Sequence, residues 1–270
     1  MSTTPAPRWA ATLHRLAWHL VDGREVGGRA GGPVAEHESG LMQLNVAINL
    51  HKAATGALVV GLMLACDVFT APAWTYLAMH GSYGLVWVLK DVTAGDRRWR
   101  QPVGTGGLLA TWAFLTLYWV APVTLVLGSA GVLALGGWAP AGMPWRAAAV
   151  GLYAVGLFLM IGADVQKNTA LGRGGSGSGG KGEVAGSPGG GLVTTGFFAR
   201  VRHPNYLGEM MIYGSFALVV SHWLPWMILA GIWGLFFLPN MLAIEASLSR
   251  YPGYEAWRER TGFLAPKLRG

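Results

Sequence analysis

A chain of 270 residues that is 52% hydrophobic and only 12% charged falls outside the range of a soluble globular domain, where about a quarter of the residues carry charge. The formal net charge of +7 does not call for nucleic acid, because basic loops flanking apolar spans and facing anionic lipid account for it. The single cysteine, Cys66, excludes an internal disulfide and is read as a packing residue.

The chain opens with "PRWAATLHRLAWHL", where Trp9, Leu13, Leu16, Ala17 and Leu20 recur at helical spacing and Arg8 and Arg15 fall elsewhere. This predicts an interfacial helix. The lack of any acid before Asp22 also admits an organelle transit peptide. Residues 1–40 therefore stand apart as a helix followed by a Gly-rich linker at 21–40, and residues 41–270 read as one membrane domain.

Six windows approach the length of about 20 apolar residues that a spanning helix needs. They are 45–66, 72–89, 105–128, 146–163, 206–221 and 224–244, each bounded by charge, Pro or Gly. With the N-terminus in the cytoplasm, an even number of spans puts every one of the 20 Lys and Arg residues on the cytoplasmic side except Lys52, inside a span, and Arg146, at the far face. The expected fold is all-α: a polytopic membrane bundle of about six transmembrane helices with both termini cytoplasmic. Its membrane would be the endoplasmic reticulum in a eukaryote or the inner membrane in a bacterium.

In the first span, "LNVAINLHKAATG" sets Asn45, Asn49 and Lys52 at i, i+4 and i+7, with His51 off that stripe. Such a stripe is costly in lipid, so it is expected to look into the bundle; the alternative is Asn bonding between helices and Lys52 snorkelling to an interface. The second span carries Tyr76, His80, Tyr83 and Trp87 on one face, and Lys90 with Asp91 at its cytoplasmic end. His80 and Tyr83 are the best-placed proton donors within the membrane, unless that face is only helix packing and an aromatic belt.

A Gly/Pro-rich outer loop follows at 129–145, and the fourth span ends "GLFLMIGADVQKNTA", with Asp164 and Lys167 about one turn apart. Residues 171–192 read as a flexible Gly/Ser-rich loop. Its G-x-G-x-x-G from Gly175 to Gly180, and the near phosphate loop ending at Lys181, lack the preceding strand and the following Ser or Thr that would give them meaning.

The densest chemistry is in "RVRHPNYLGE". Arg202 can grip a phosphate or carboxylate at two points, His203 exchanges a proton near neutral pH, and Asn205 both donates and accepts. Pro204 starts a helix, Tyr206 adds a hydroxyl and a ring, Gly208 permits close approach, and Glu209 would be costly unpaired. With "IEASLSRYPGYEAWRERTG" after the last span, Asp164, Lys167, Arg202, His203, Asn205, Tyr206, Glu209, Glu245, Tyr251 and Tyr254 are expected on one membrane face, around a ligand pocket. Nothing in the spacing calls for a metal.

"ADVQK", "RVRHPNYLGE" and "YPGYEAWRERTGFLAP" together resemble the steroid 5α-reductase C-terminal family, over about residues 150–268. Relatives of that family include integral-membrane sterol reductases and isoprenylcysteine carboxyl methyltransferases. The resemblance implies a membrane bundle whose C-terminal half holds a nucleotide at the cytosolic side, NADPH in the reductases. Carried over by motif, it implies cofactor contacts from Asp164, Arg202, His203, Asn205, Tyr206 and Glu209, joined by Glu245 and Tyr254. The methyltransferases share "RHP-x-Y-x-G" but bind S-adenosylmethionine. Asn205, Glu209 and "ADVQK" look more like the reductase pattern. Two departures stand out: the long Gly/Ser insertion, and the lack of a match to the Glu and Tyr pair that the steroid branch uses on its substrate carbonyl.

The expected function is an NADPH-dependent reduction of a carbon-carbon double bond in a lipophilic substrate. Arg202 and Lys167 would meet phosphate, and Asp164 and Asn205 ribose or carboxamide. Glu209 would orient Arg202 or His203, and His80 or Tyr83 would protonate the substrate. The rivals are methyl transfer from S-adenosylmethionine to a lipid or prenyl-cysteine carboxylate, and a non-enzymatic transporter or scaffold. The second counts for less, because the polar groups gather at one face and the two halves show no inverted repeat.

Overall fold

The structure, a computed structural model, describes residues 5–22, 42–95, 97–133, 141–173, 184–185 and 191–267. Most of the linker at 21–40, part of the outer loop, and the Gly175 to Lys181 stretch of the Gly/Ser insertion lie outside the described residues. The chain is helical, and among the described residues four helices are long and apolar enough to cross a membrane: Leu44–Ala65, Thr105–Ser129, Met143–Ala170 and Trp223–Leu248. These make it a helical membrane protein. The expected second and fifth spans also form helices, Ala71–Ala94 and Pro204–Val220, but are not among the four; the latter has 17 residues, the lower end of what a crossing needs.

In chain order the helices are α1 (Arg8–Asp22), α2 (Leu44–Ala65), α3 (Ala71–Ala94), α4 (Thr105–Thr116), α5 (Val120–Ser129), α6 (Met143–Arg173), α7 (Pro204–Val220), α8 (Trp223–Ile232), α9 (Leu238–Leu248) and α10 (Tyr254–Arg260). Two interruptions trace to proline. Pro122 cannot donate to the carbonyl four residues earlier, and the chain tightens to a 3-10 turn at Leu117–Trp119 before α5 resumes. Pro239 likewise follows a π-helical stretch, Trp233–Phe237, between α8 and α9.

The described residues form two compact units. One takes Arg15–Gly151 and Gly214–Ile232, the other Met1–His14, Leu152–Tyr213 and Trp233–Gly270. In the first unit, α2 packs along α3 at closely approaching glycines. A side chain on Gly84 would run into the carbonyl of Lys52, and one on Gly56 would sit 3.5 Å from the Cα of Gly81. Thr70 caps α3, accepting from the amide of Ala73 at 3.4 Å. Two indoles bind α2 to the α4 region: Trp112 donates to the carbonyl of Ala47 at 3.1 Å and Trp119 to the hydroxyl of Thr55 at 3.0 Å. The short strand β1 (Met42–Gln43) pairs antiparallel with β2 (Pro102–Val103).

In the second unit, α6 and α7 meet at Gly156 and Gly208. A Cβ on Gly208 would lie 2.6 Å from the Gly156 carbonyl oxygen, and one on Gly156 would lie 2.7 Å from that of Gly208. A core of Ala163, Leu192, Phe198, Tyr254 and Trp257 ties α6 to the C-terminal segment. A second short strand, β3 (Val184–Ala185), pairs antiparallel with β4 (Leu192–Val193).

Candidate functional site

Backbone pairing sets up the cluster at the head of α7. Residues 200–203 run parallel to the C-terminal segment: the amide of Gly262 donates to Arg200, that of Arg202 to Gly262 and that of His203 to Phe263, at 2.9, 2.9 and 3.3 Å. This fixes where the next side chains go. Glu245, near the end of α9, receives three of them. Arg202 Nε lies 2.9 Å from its Oε2 and 3.1 Å from its Oε1, and the Tyr254 hydroxyl donates to Oε2 at 2.8 Å. His203 Nε2 stands 3.1 Å from Oε1, although its ring N–H is not aligned for a good hydrogen bond.

Arg202 is further held by two carbonyls, donating from Nη1 to Thr261 at 2.8 Å and to Arg258 at 3.3 Å, and its guanidinium lies over the Phe263 ring. Its Nη2 makes no hydrogen bond among the described residues. The side chains of Arg202 and Glu245 are 10% and 12% exposed, so the pair sits in a low-dielectric wall where an uncompensated charge would be expensive.

Burial lowers the pKa of His203 below its usual 6.5; the Glu245 carboxylate pulls the other way and Arg202 adds to the lowering. Burial, and then Glu245, raise the Tyr254 phenol well above its usual value. The His203 shift has a signed consequence. Below pH 6.5 the unfolded chain binds a proton that the folded chain resists, so the stability present above 6.5 is lost as pH falls through the window beneath it. Melting curves of wild type and His203→Gln between pH 7 and 5 are expected to converge as pH falls. Parallel curves would contradict this.

A second device seats the chain before the cluster. Gln166 on α6 donates from Nε2 to the Thr195 carbonyl at 2.8 Å and accepts from the Phe197 amide at 2.9 Å. Gly196 between them has φ +57, the left-handed region that glycine occupies freely, and a side chain there would strike the Gln166 amide. The Phe197 ring lies against the bare backbone of Gly162. Trp257 completes the seat, donating to the Phe198 carbonyl at 2.8 Å.

The first unit holds the other group of expected residues. Asp91 on α3 accepts from the side-chain amides of Asn45 and Asn49, both at 2.8 Å. Lys52 is buried, its ammonium 4.7 Å from the ring centres of Tyr83 and Trp87 and 5.4 Å from that of Tyr118. The stripe on α2 therefore points inward, and Lys52 is enclosed by rings. His80 and Tyr83 are both buried, and the Tyr76 hydroxyl lies 2.8 Å from His80 Nδ1.

Of the residues expected at the nucleotide site, Arg202, His203, Glu245 and Tyr254 come together, and Tyr206 stands edge-on to the His203 ring and to Phe237. Asn205, in the first turn of α7, makes no side-chain hydrogen bond among the described residues. Asp164 and Lys167 pair with each other at 3.6 Å on α6. Glu209 lies in the second turn of α7, and the carboxylate that meets both Arg202 and His203 is Glu245 instead. Sequence reasoning missed the roles of Gln166 and Thr261, and it placed Tyr76 on the face of His80 without giving it a role of its own. Only Tyr76 had a local signal, its i, i+4 spacing to His80.

Comparison with known proteins covers most of these elements. Two uncharacterized proteins of Schizosaccharomyces pombe are similar over shorter stretches. One is 36% identical over 90 residues, 31% of this chain and 26% of that protein. The other is 40% identical over 56 residues, 21% of this chain and 19% of that protein. The chain thus spans about a quarter and a fifth of the length of these curated relatives. The family described as "Protein of unknown function (DUF1295)" matches residues 80–261, a stretch that begins at His80 and takes in Glu245, Tyr254 and Thr261. With two thirds of its length inside that match, the chain belongs to the DUF1295 family.

Proposed function

We propose that this protein is an integral-membrane reductase that uses NADPH to reduce a carbon-carbon double bond in a lipophilic substrate. The observation that carries the reading is the polar cluster at the head of α7. Arg202 Nη2 and the Asn205 amide have no hydrogen bond among the described residues, while Glu245, Thr261 and Arg258 lock the rest of Arg202 in place. A positioned guanidinium, an amide and the positive end of a helix fit a phosphate-bearing ligand. The resemblance of "RVRHPNYLGE" and "ADVQK" to the steroid 5α-reductase C-terminal family supports NADPH as that ligand.

On this reading Arg202 and Asn205 hold the nucleotide, with Lys167, Asp164, Tyr206 and Glu209 as further contacts. Glu245, His203 and Tyr254 keep the Arg202 guanidinium fixed. NADPH supplies a hydride when bound. His80 or Tyr83, both buried proton carriers, give the proton to the substrate. The topology proposed with it has α3 and α7 as two further crossings, six in all, both termini in the cytoplasm, and the endoplasmic reticulum or a bacterial inner membrane as the site.

The test is ligand-dependent melting of purified protein. At a hundredfold excess over its dissociation constant, NADPH is expected to add about 2.7 kcal/mol of stability and S-adenosylmethionine none. NADPH oxidation against a panel of lipophilic enones then identifies the substrate class. Stabilisation by S-adenosylmethionine alone would replace the reductase with a methyltransferase, and stabilisation by neither would favour a transporter or scaffold.

A further inference from the structure

Tyr76 and His80 stand one turn apart on α3, at 0% and 2% exposure. The His80 ring lies on Phe216, centroids 4.3 Å apart and planes 20° from parallel, and Tyr76 meets the same ring at 5.6 Å. Packing thus fixes both rings, and the 2.8 Å contact between the Tyr76 hydroxyl and His80 Nδ1 is a set geometry.

The direction of that hydrogen bond follows from counting protons. Either the phenol donates to Nδ1, or Nδ1–H donates to the phenol oxygen. In the second arrangement the phenolic proton would need another acceptor, and the Tyr76 hydroxyl has no other hydrogen-bond partner among the described residues. Leaving a buried O–H unpaired costs about 1–3 kcal/mol. The phenol is therefore the donor, and a histidine that accepts at Nδ1 is neutral and carries its proton on Nε2.

We infer that Tyr76 is a positioning residue that holds His80 as the Nε2–H tautomer and makes the two a proton relay; this rests on the reductase reading. When His80 protonates the substrate, its Nε2–H bond breaks and a C–H bond forms. At the same time the Tyr76 O–H bond breaks and an Nδ1–H bond forms. The imidazole stays neutral with its tautomer inverted, and the charge ends on the phenolate, which takes up a proton before the next turnover; the reducing electrons are those of the nicotinamide cofactor. Acting alone, the neutral imidazole would be left as an anion.

The experiment uses purified full-length protein labelled with nitrogen-15 histidine, with the His80 signals identified by their loss in His80→Gln. Wild type is expected to show a protonated Nε2 and an unprotonated, hydrogen-bonded Nδ1. Tyr76→Phe, which keeps the packed ring, shifts Nδ1 toward the value of a nitrogen without a hydrogen bond. In NADPH oxidation with a lipophilic enone, Tyr76→Phe and His80→Gln each lower kcat by roughly 10- to 100-fold at the low end of general-acid effects, with the KM for NADPH unchanged. The double variant is no slower than the slower single. A proton on Nδ1 in wild type, an unmoved resonance in Tyr76→Phe, or additive losses would overturn the inference. If wild type oxidises no NADPH, the reductase reading and the relay fall together, and the spectrum alone decides the tautomer.

Discussion

Replacing Glu245 with Ala is expected to cost about 3–5 kcal/mol of folding stability, the range for deleting one member of a buried ion pair. Arg202 Nε, His203 Nε2 and the Tyr254 hydroxyl all converge on its two oxygens within 3.1 Å. Removing the carboxylate leaves a guanidinium that is 10% exposed with only carbonyl partners. The phenol that donated to it also loses its acceptor. Thermal melting without nucleotide is the measurement, with a fall of roughly 10 °C expected for a chain of this size. Glu245→Gln, which keeps the shape and one acceptor, should fall less. If Glu245→Ala melts within about 2 °C of wild type while nucleotide binding is lost, the carboxylate serves the ligand and not the resting fold.

The second large effect is expected at Gly208, where Ala should destabilise by about 1–3 kcal/mol even though Ala is the better helix former by about 1 kcal/mol. The added methyl would lie 2.6 Å from both the Gly156 carbonyl oxygen and the Met160 amide nitrogen, backbone atoms of α6 that cannot swing aside. Gly156→Ala should behave alike, because its methyl would meet the Gly208 carbonyl at 2.7 Å, and the pair of substitutions should cost less than their sum once the helices have separated. Gly61→Ala is the control: nothing lies within 4 Å of its added methyl, so its melting point should hold or rise. Equal melting points for Gly208→Ala and Gly61→Ala would show that the crossing tolerates the extra bulk.

How much of this was legible in the sequence depends on how far apart the partners lie along the chain. The helices announced themselves by runs of apolar residues, and the inward turn of Asn45, Asn49 and Lys52 followed from the cost of exposing them to lipid. The breaks at Leu117–Trp119 and Trp233–Phe237 sit beside Pro122 and Pro239 and could have been marked from proline's missing N–H. The number of spans was harder. Runs of apolar residues mark both 72–89 and 206–221, whereas the helix over the first carries more polarity than the other four and the helix over the second stops at 17 residues. Local spacing held no trace of the partner of Arg202: Glu245 is 43 residues away, and Thr261 contributes only a carbonyl that any residue could offer. The resemblance named Glu245 as a contact, but for a ligand and not for an arginine of the same chain.

The double grip of Gln166 on Thr195 and Phe197 carries a consequence for how such chains diverge. Because a side chain of α6 clasps the returning strand directly, the position of "RVRHPNY" is set downstream of the glycine- and serine-rich stretch and owes nothing to how many residues that stretch contains. Lineages can then lengthen or shorten it, at a closure penalty that grows only with the logarithm of its length, without moving the arginine that follows.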